Sequence, residues 1–387
     1  MCSSDLTYPG GDPFPMPFGK DWDRNTPWPL NAVVTAIDYD TKNTMVSQWN
    51  LSLQRQVGSN WLLSASYLGT ESAHLWALQQ LNPAVYIPGS CSAGQFGLPA
   101  PGLCSTPTNT IQRRVLALEN PQYGRYFGTV NRIDSGATAS YHGLVLSVQR
   151  PVARGVTLTS NYTWSHCISD PVTTNTANSG NADGGYSNPQ NRHFDRGNCE
   201  TDRRHIFNLS GVAEVPQFSN STLRHVASGW RVAPIFKILS GGYLSIVTSS
   251  DIALTGILNS SGGSTDRPAD RLGQRVNRLL SNPYGDKSIQ RFLNPDAFEL
   301  PVPGTLGNVG ANSVAGPGTW QFDAALSRSF RLTERQRLEF RAEAFNITNS
   351  VRMDINKLTI NFNSGAFGQV TGALDPRIMQ FAIKYFF

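Results

Sequence analysis

No run of about 18 or more uninterrupted apolar residues occurs in this 387-residue chain, so a transmembrane helix is not expected. The start carries no charged stretch followed by an apolar one, so no signal peptide is read there. Charge is scarce: Asp, Glu, Lys and Arg make up 15% of residues, against roughly 25% in typical globular proteins. The formal net charge of +5 is spread along the chain without a basic run, which argues against nucleic acid as a partner. The GxSxG, HExxH, P-loop and Rossmann fingerprints are missing as well. The chain is therefore not read as an enzyme, and no cofactor is implied.

Cysteines are few, five in all. Cys2 lies in MCSSDL, which reads as the translated end of a sequencing adapter. On that reading Met1 to Leu6 are not protein, and the natural chain begins further upstream. The other four form two local pairs, Cys91 with Cys104 and Cys167 with Cys199. Each pair brackets a polar stretch rich in Gly, Pro and Asn. In an oxidising compartment such pairs staple loops; buried free thiols are the alternative.

What the sequence does have is Gly (35), Pro (24) and aromatic residues (10%), the composition of a β-rich protein with long loops. Its periodicity is two. In QRLEFRAEAF, Leu338, Phe340, Ala342 and Ala344 share one face, and Arg337, Glu339, Arg341 and Glu343 the other. Upstream, Trp320, Phe322, Ala324 and Leu326 oppose Gln321, Asp323 and Ser327, and RLTERQ between the two runs reads as a tight turn. VSQWNLSLQRQV and NWLLSASYLGT form a hairpin of the same kind. So do YHGLVLSVQRPV and VTLTSNYTWSHC, and, with a longer connection, RHIFNLSGVAEV and GWRVAPIFKILSGG. In the last strand Met379, Phe381, Ile383, Tyr385 and Phe387 alternate with Gln380, Ala382 and Lys384. The stretches 72–138, 169–202, 250–318 and 348–376 read as loops.

Short turns that alternate with long loops, and faces that alternate apolar and polar, are the pattern of an outer-membrane barrel. The expected fold class is all-β: the C-terminal portion of an antiparallel transmembrane β-barrel. Roughly nine strands are expected, ten if NAVVTAIDY is counted, with long extracellular loops and short periplasmic turns. The boundaries are 1–6 non-native, 7–44 an irregular lead-in or partial strand, and 45–387 partial barrel. A soluble sandwich or propeller also alternates, but it accounts less well for the asymmetry of the loops. It also gives no reason for Trp49, Trp164, Trp230, Trp320 and Tyr385 to sit near strand ends, where membrane barrels carry aromatic girdles.

The order of the segments resembles one family, the Oar-like TonB-dependent receptors. QWNLSLQRQVGSNWLLSASYLGTESAHL and YHGLVLSVQRPVARGVTLTSNYTWSHCISD look like successive hairpins of that family. FDRGNCETDRRHIFNLSGVAEVP and SGWRVAPIFKILSGGYLSI look like its recurring middle elements. FLNPDAFELPVPGTLGNVGANSVAGPGTWQFDAALSRSF and RLEFRAEAFNITNS complete the likeness, and DPRIMQFAIKYFF resembles its typical end. The resemblance implies an outer-membrane transporter that imports a bulky substrate when TonB acts on a plug domain. Neither plug nor TonB box is visible, and a complete transporter barrel has about 22 strands. The expected partners are outer-membrane lipid and the barrel-assembly machinery, with TonB and the plug in the intact protein; the substrate is not readable. Phe381, Ile383, Tyr385 and Phe387 resemble the C-terminal signal by which barrels are recognised for assembly. A non-transport barrel, adhesive or structural, is the alternative function, and a soluble secreted β-protein the third.

Asp323, Arg337, Glu339, Arg341, Glu343 and Lys384 are expected to face the lumen. They either line a substrate path and dock the plug, or simply satisfy the need for polar side chains in a water-filled barrel. His166, Cys167, His193, Cys199 and His205, with Asp195 and Asp202, are zinc-ligand types at no compact ligand spacing; a Cys167–Cys199 staple is the simpler reading. His142 and His205 read as rim residues. The stretch 261–275 reads as an exposed loop, with calcium binding as a second reading that lacks the D-x-D-x-D-G spacing.

Overall fold

A computed structural model describes residues 30–153, 155–170, 185–199, 201–216, 218–258 and 273–387. The adapter-like residues 1–6, most of the lead-in and residues 261–272 of the stretch 261–275 lie outside them; of that stretch read as an exposed loop, Gln274 and Arg275 are described and are buried. Ten strands matter here: β1 (Ala32–Ile37), β2 (Met45–Val57), β3 (Trp61–Gln80), β4 (Phe127–Ala153), β5 (Val156–Ser169), β6 (His205–Glu214), β7 (Trp230–Leu239), β8 (Thr319–Arg331), β9 (Arg337–Phe345) and β10 (Ile378–Phe386). Strands β2 to β10 pair antiparallel in chain order and form one wall. Among the described residues the two α-helices, α1 (Val115–Glu119) and α2 (Ser221–Val226), are each under two turns. Among the described residues no helix is long and apolar enough to cross a membrane.

The register follows from the alternation. Across β9 and β10, Leu338 faces Tyr385, Phe340 faces Ile383 and Ala342 faces Phe381, while Glu339 faces Lys384 and Glu343 faces Gln380. A slip of one residue would put charge on the apolar face along a whole strand. The same division runs back through Leu326, Ala324, Phe236, Leu209, Leu158, Leu146 and Leu53. That face is open: Leu53 is 67% and Ile383 70% exposed. A continuous exposed apolar face of this extent is stable only against lipid.

The short connections all lie at one end. Gly155, between β4 and β5, has φ +76°, a left-handed conformation that glycine adopts without steric cost. Residues 332–336 close the β8–β9 turn, where Leu332 N–H donates to Gln336 O at 2.9 Å.

Two features depart from the sequence reading. The stretch 72–138 is not all loop: β3 continues to Gln80 and β4 starts at Phe127, so both strands rise well above their neighbours. Bulges after Ser72 and Leu75 mark the change. Above them the strands pack against protein rather than lipid, so the oil-and-water alternation lapses while the backbone ladder continues. In addition, β1 does not extend the wall in series. It runs parallel to the first residues of β4, with Ile37 beside Ile133.

The main core of buried side chains lies in the long connections rather than in the wall. Ile246, Val276, Leu293, Phe298, Val314 and Leu358 come from the β7–β8 and β9–β10 connections and are all nearly or fully inaccessible. Burying each such side chain contributes about 1.5–3 kcal/mol. The loops are therefore a packed layer with its own core, set on one end of the wall.

Candidate functional site

The polar face of the wall and the loop layer are the two surfaces where chemistry is concentrated. On the polar face, Arg337, Glu339, Arg341, Glu343 and Lys384 lie on adjoining strands. Arg341 pairs with Glu343, two residues along the same strand. The Arg337 guanidinium lies 4.2 Å from the centre of the Phe386 ring. Near the short turns, Arg337 and Glu339 join Glu214, Arg231, Ser327 and Ser329 around a polar recess of about 640 Å³. Glu214 and Arg231 face each other directly across β6 and β7. Sequence reasoning missed this pair, although both alternate with apolar neighbours as the named charges do.

Asp323 is elsewhere and is fully engaged. Both its oxygens accept from Gln321 Nε2 at 2.8 Å, and one accepts the Asn346 backbone N–H at 2.7 Å. Arg352, from the β9–β10 connection, donates to Gln321 Oε1 and, at 2.7 Å, to Asp375 O. Asp323 thus anchors the end of β9 and the loop that follows.

In the loop layer, Cys91 is joined to Cys104 and Cys167 to Cys199. The first disulfide clips the β3–β4 connection, and the second ties the end of β5 to the connection that follows it. That connection is docked by buried acids. Asp134 accepts from Arg192 at 2.5 Å, and Asp170 pairs with Arg196 at 3.2 Å. Asp195 meets Arg275 at 3.0 Å, with both side chains at most 3% exposed. Arg275 also donates to the backbone oxygens of Val309 and Phe194, and its guanidinium sits 4.1 Å from the Phe194 ring centre. Burial pushes the Asp195 carboxyl up and the Arg275 guanidinium down, and each opposes the other's shift. Tyr186 is fully buried against Ala77 and Ala137, and burial pushes its phenol well above the ordinary tyrosine range.

The histidines and cysteines do not converge. His166 Nε2 contacts Asn198 Oδ1 at 3.2 Å, and His205 Nδ1 contacts the Tyr162 hydroxyl at 2.7 Å. Among the described residues no group of three or more His, Cys, Asp or Glu could hold a metal ion. Between the β3–β4 and β7–β8 connections lies a second recess, of about 290 Å³, lined mainly by Tyr86, Ile87, Leu103, Ile252, Leu254 and Pro303.

An antiparallel wall with one apolar and one ionic face, capped at one end by packed loops, defines an outer-membrane β-barrel protein. The chain belongs to the family described as Outer membrane beta barrel domain, whose model matches residues 3–380. Its place is the outer membrane. No curated protein matches the chain significantly. Among solved structures it is similar to the outer membrane transporter YddB from Escherichia coli, at 11% identity and a TM-score of 0.41, over 92% of this chain and 34% of that one. It is also similar to the ferric-catecholate import receptor Fiu from Escherichia coli (11%, TM-score 0.37, 90% and 28%). The copper transporter OprC is a third such structure (9%, TM-score 0.37, 89% and 32%). The chain thus spans about a third of the length of these proteins, or less.

Proposed function

We propose that this chain is part of the barrel wall, with its extracellular loops, of a TonB-dependent outer-membrane transporter of the Oar-like type. One observation carries the reading: the outer strands of the wall, β2 and β10, are not paired with each other among the described residues. An unpaired strand edge in lipid leaves backbone groups unsatisfied at several kcal/mol each, so further strands must complete the barrel. In a barrel of about 22 strands the lumen is wide enough to hold a plug. The polar face carrying Arg337, Glu339, Arg341, Glu343, Lys384 and Asp323 then turns toward that lumen. Phe381, Ile383, Tyr385 and Phe387 act in this reading as the signal for barrel assembly, and the two disulfides hold the extracellular loops.

The test is the longer gene, recovered from an independent assembly, followed by uptake assays in a deletion strain. A plug domain and TonB box upstream, with uptake lost when the proton gradient is collapsed, are the expected results. A start codon and signal peptide directly before Thr7 would defeat the proposal. So would uptake indifferent to the proton gradient. A deletion strain without any uptake defect would favour the adhesive or structural alternative.

A further inference from the structure

Among the described wall residues that register places on the apolar face, four are charged: Arg55, Arg150, Arg328 and Glu71. Their distribution is one-sided. All three arginines lie within five residues of a short turn, whereas Glu71 sits at the long-loop end, opposite Ser47 and Ser140. Some of the aromatic partners differ in the same sense. Toward the long loops two tyrosines meet histidine, Tyr67 with His142 at 2.8 Å and Tyr162 with His205 at 2.7 Å. Near the short turns Trp61, Trp230 and Phe330 meet arginine. The Arg150 guanidinium lies 5.4 Å from the Trp61 ring centre. That of Arg328 lies 5.5 Å from Trp230 and 4.7 Å from Phe330. Arg55 stands across β3 from Arg150, on the same face and diagonal to Trp61.

A charged side chain on a lipid-facing surface is costly unless its head reaches the interface and finds a counter-charge there. The aromatic rings hold the Arg150 and Arg328 guanidiniums at rim height and contribute a cation–π attraction. The Arg150 Nε has no hydrogen-bond partner among the described residues. Arg328 is steadied by a 2.8 Å bond from Nη1 to Val226 O. A planar guanidinium at this level matches a phosphate bidentately, which an ammonium does not. Short turns face the periplasm in such barrels, so the anion within reach belongs to the inner leaflet of the outer membrane.

We propose that Arg150 over Trp61, with Arg55 beside it, and Arg328 over Trp230 and Phe330 are two binding sites for the phosphates of anionic glycerophospholipid headgroups in the periplasmic leaflet. The sites fix the depth of the wall in the bilayer and orient it. They rest on the barrel fold and not on the transport reading.

The full chain, folded in detergent micelles, is titrated with phosphatidylglycerol or phosphatidylcholine, and bound lipid is counted by native mass spectrometry. Phosphatidylglycerol is expected to be retained in preference to phosphatidylcholine. Arg150→Gln and Arg328→Gln should each weaken retention at their own site roughly fivefold, and in the triple variant with Arg55→Gln the two-arginine site should weaken roughly 25-fold and the Arg328 site roughly fivefold. Arg150→Lys, which keeps the charge but not the fork, should fall between wild type and Arg150→Gln. Arg331→Gln, at the same rim but on the polar face, should change nothing. Should the triple variant not fold, the single variants carry the test. Unchanged retention in both Gln variants, an equal loss in Arg331→Gln, or no preference for phosphatidylglycerol overturns the proposal. Displacement of the lipid by millimolar inorganic phosphate overturns it too, since the site would then be one for free phosphate.

Discussion

Arg275 reaches Asp195 across 80 residues of chain and joins it at 3.0 Å, in a part of the loop layer with almost no solvent. The pair couples the β5–β6 connection to the β7–β8 connection. Asp195 also accepts the Ser187 N–H at 2.6 Å, and Arg275 spans three backbone or side-chain acceptors. Removing one partner leaves the other as an unpaired buried charge. Arg275→Ala should therefore destabilise the loop layer by roughly 3–5 kcal/mol. Hydrogen exchange should rise around residues 185–199 and 273–280 while wall amides stay protected. Unaltered exchange there would show that the pair does not hold the loops.

The two faces of β9 make opposite demands. Ala342→Lys puts a charge on the face whose neighbours are Leu326 and Phe381, deeper in the wall than the Arg328–Phe340 pair. At mid-bilayer the cost should be roughly 2–4 kcal/mol. Glu343→Lys, on the ionic face beside Gln380, should cost much less. Urea titration of the protein folded into lipid vesicles measures both, and equal tolerance at the two positions would contradict the face assignment.

Trp49 lies across Gly69, where an added Cβ would stand 2.3 Å from the indole Cε2. Gly69→Val should push the indole off β3 at a cost of about 1–3 kcal/mol. Near-UV circular dichroism reports the displacement. Pairing the substitution with Trp49→Ala should restore most of the loss, because the clash then has no partner.

Cys91 and Cys104 close a short loop, with a sequence separation of 13. Opening it should cost the β3–β4 connection about 3 kcal/mol on the chain-entropy estimate. Limited proteolysis with and without reductant should show residues 90–105 becoming the first site of cleavage. Identical cleavage maps would show that the bond does not constrain this loop.

The wall was legible because period two admits one register: once Phe340 and Ala342 face lipid, Glu339 and Glu343 cannot. The rises of β3 and β4 above the bulges were not legible. Leu75 and Ala77 are covered there by Tyr186 and its neighbours, so local alternation no longer tracks exposure. On the polar face, Asp323, Arg337 and Glu339 were readable as a class. That Arg337 and Glu339 share a recess with Glu214 and Arg231, while Asp323 anchors a loop, depends on which strands are neighbours.

By itself, then, the sequence determined the strands, their faces and the turns, because these obey a two-residue period set by backbone geometry. Tertiary structure alone decided how the loops pack. Ile246, Leu293 and Leu358 come from connections far apart in the chain and show no local period, so only their meeting reveals a core. It also decided which charges are partners. Asp195 and Arg275 are ordinary polar residues in two Gly- and Asn-rich stretches until the fold removes water from both.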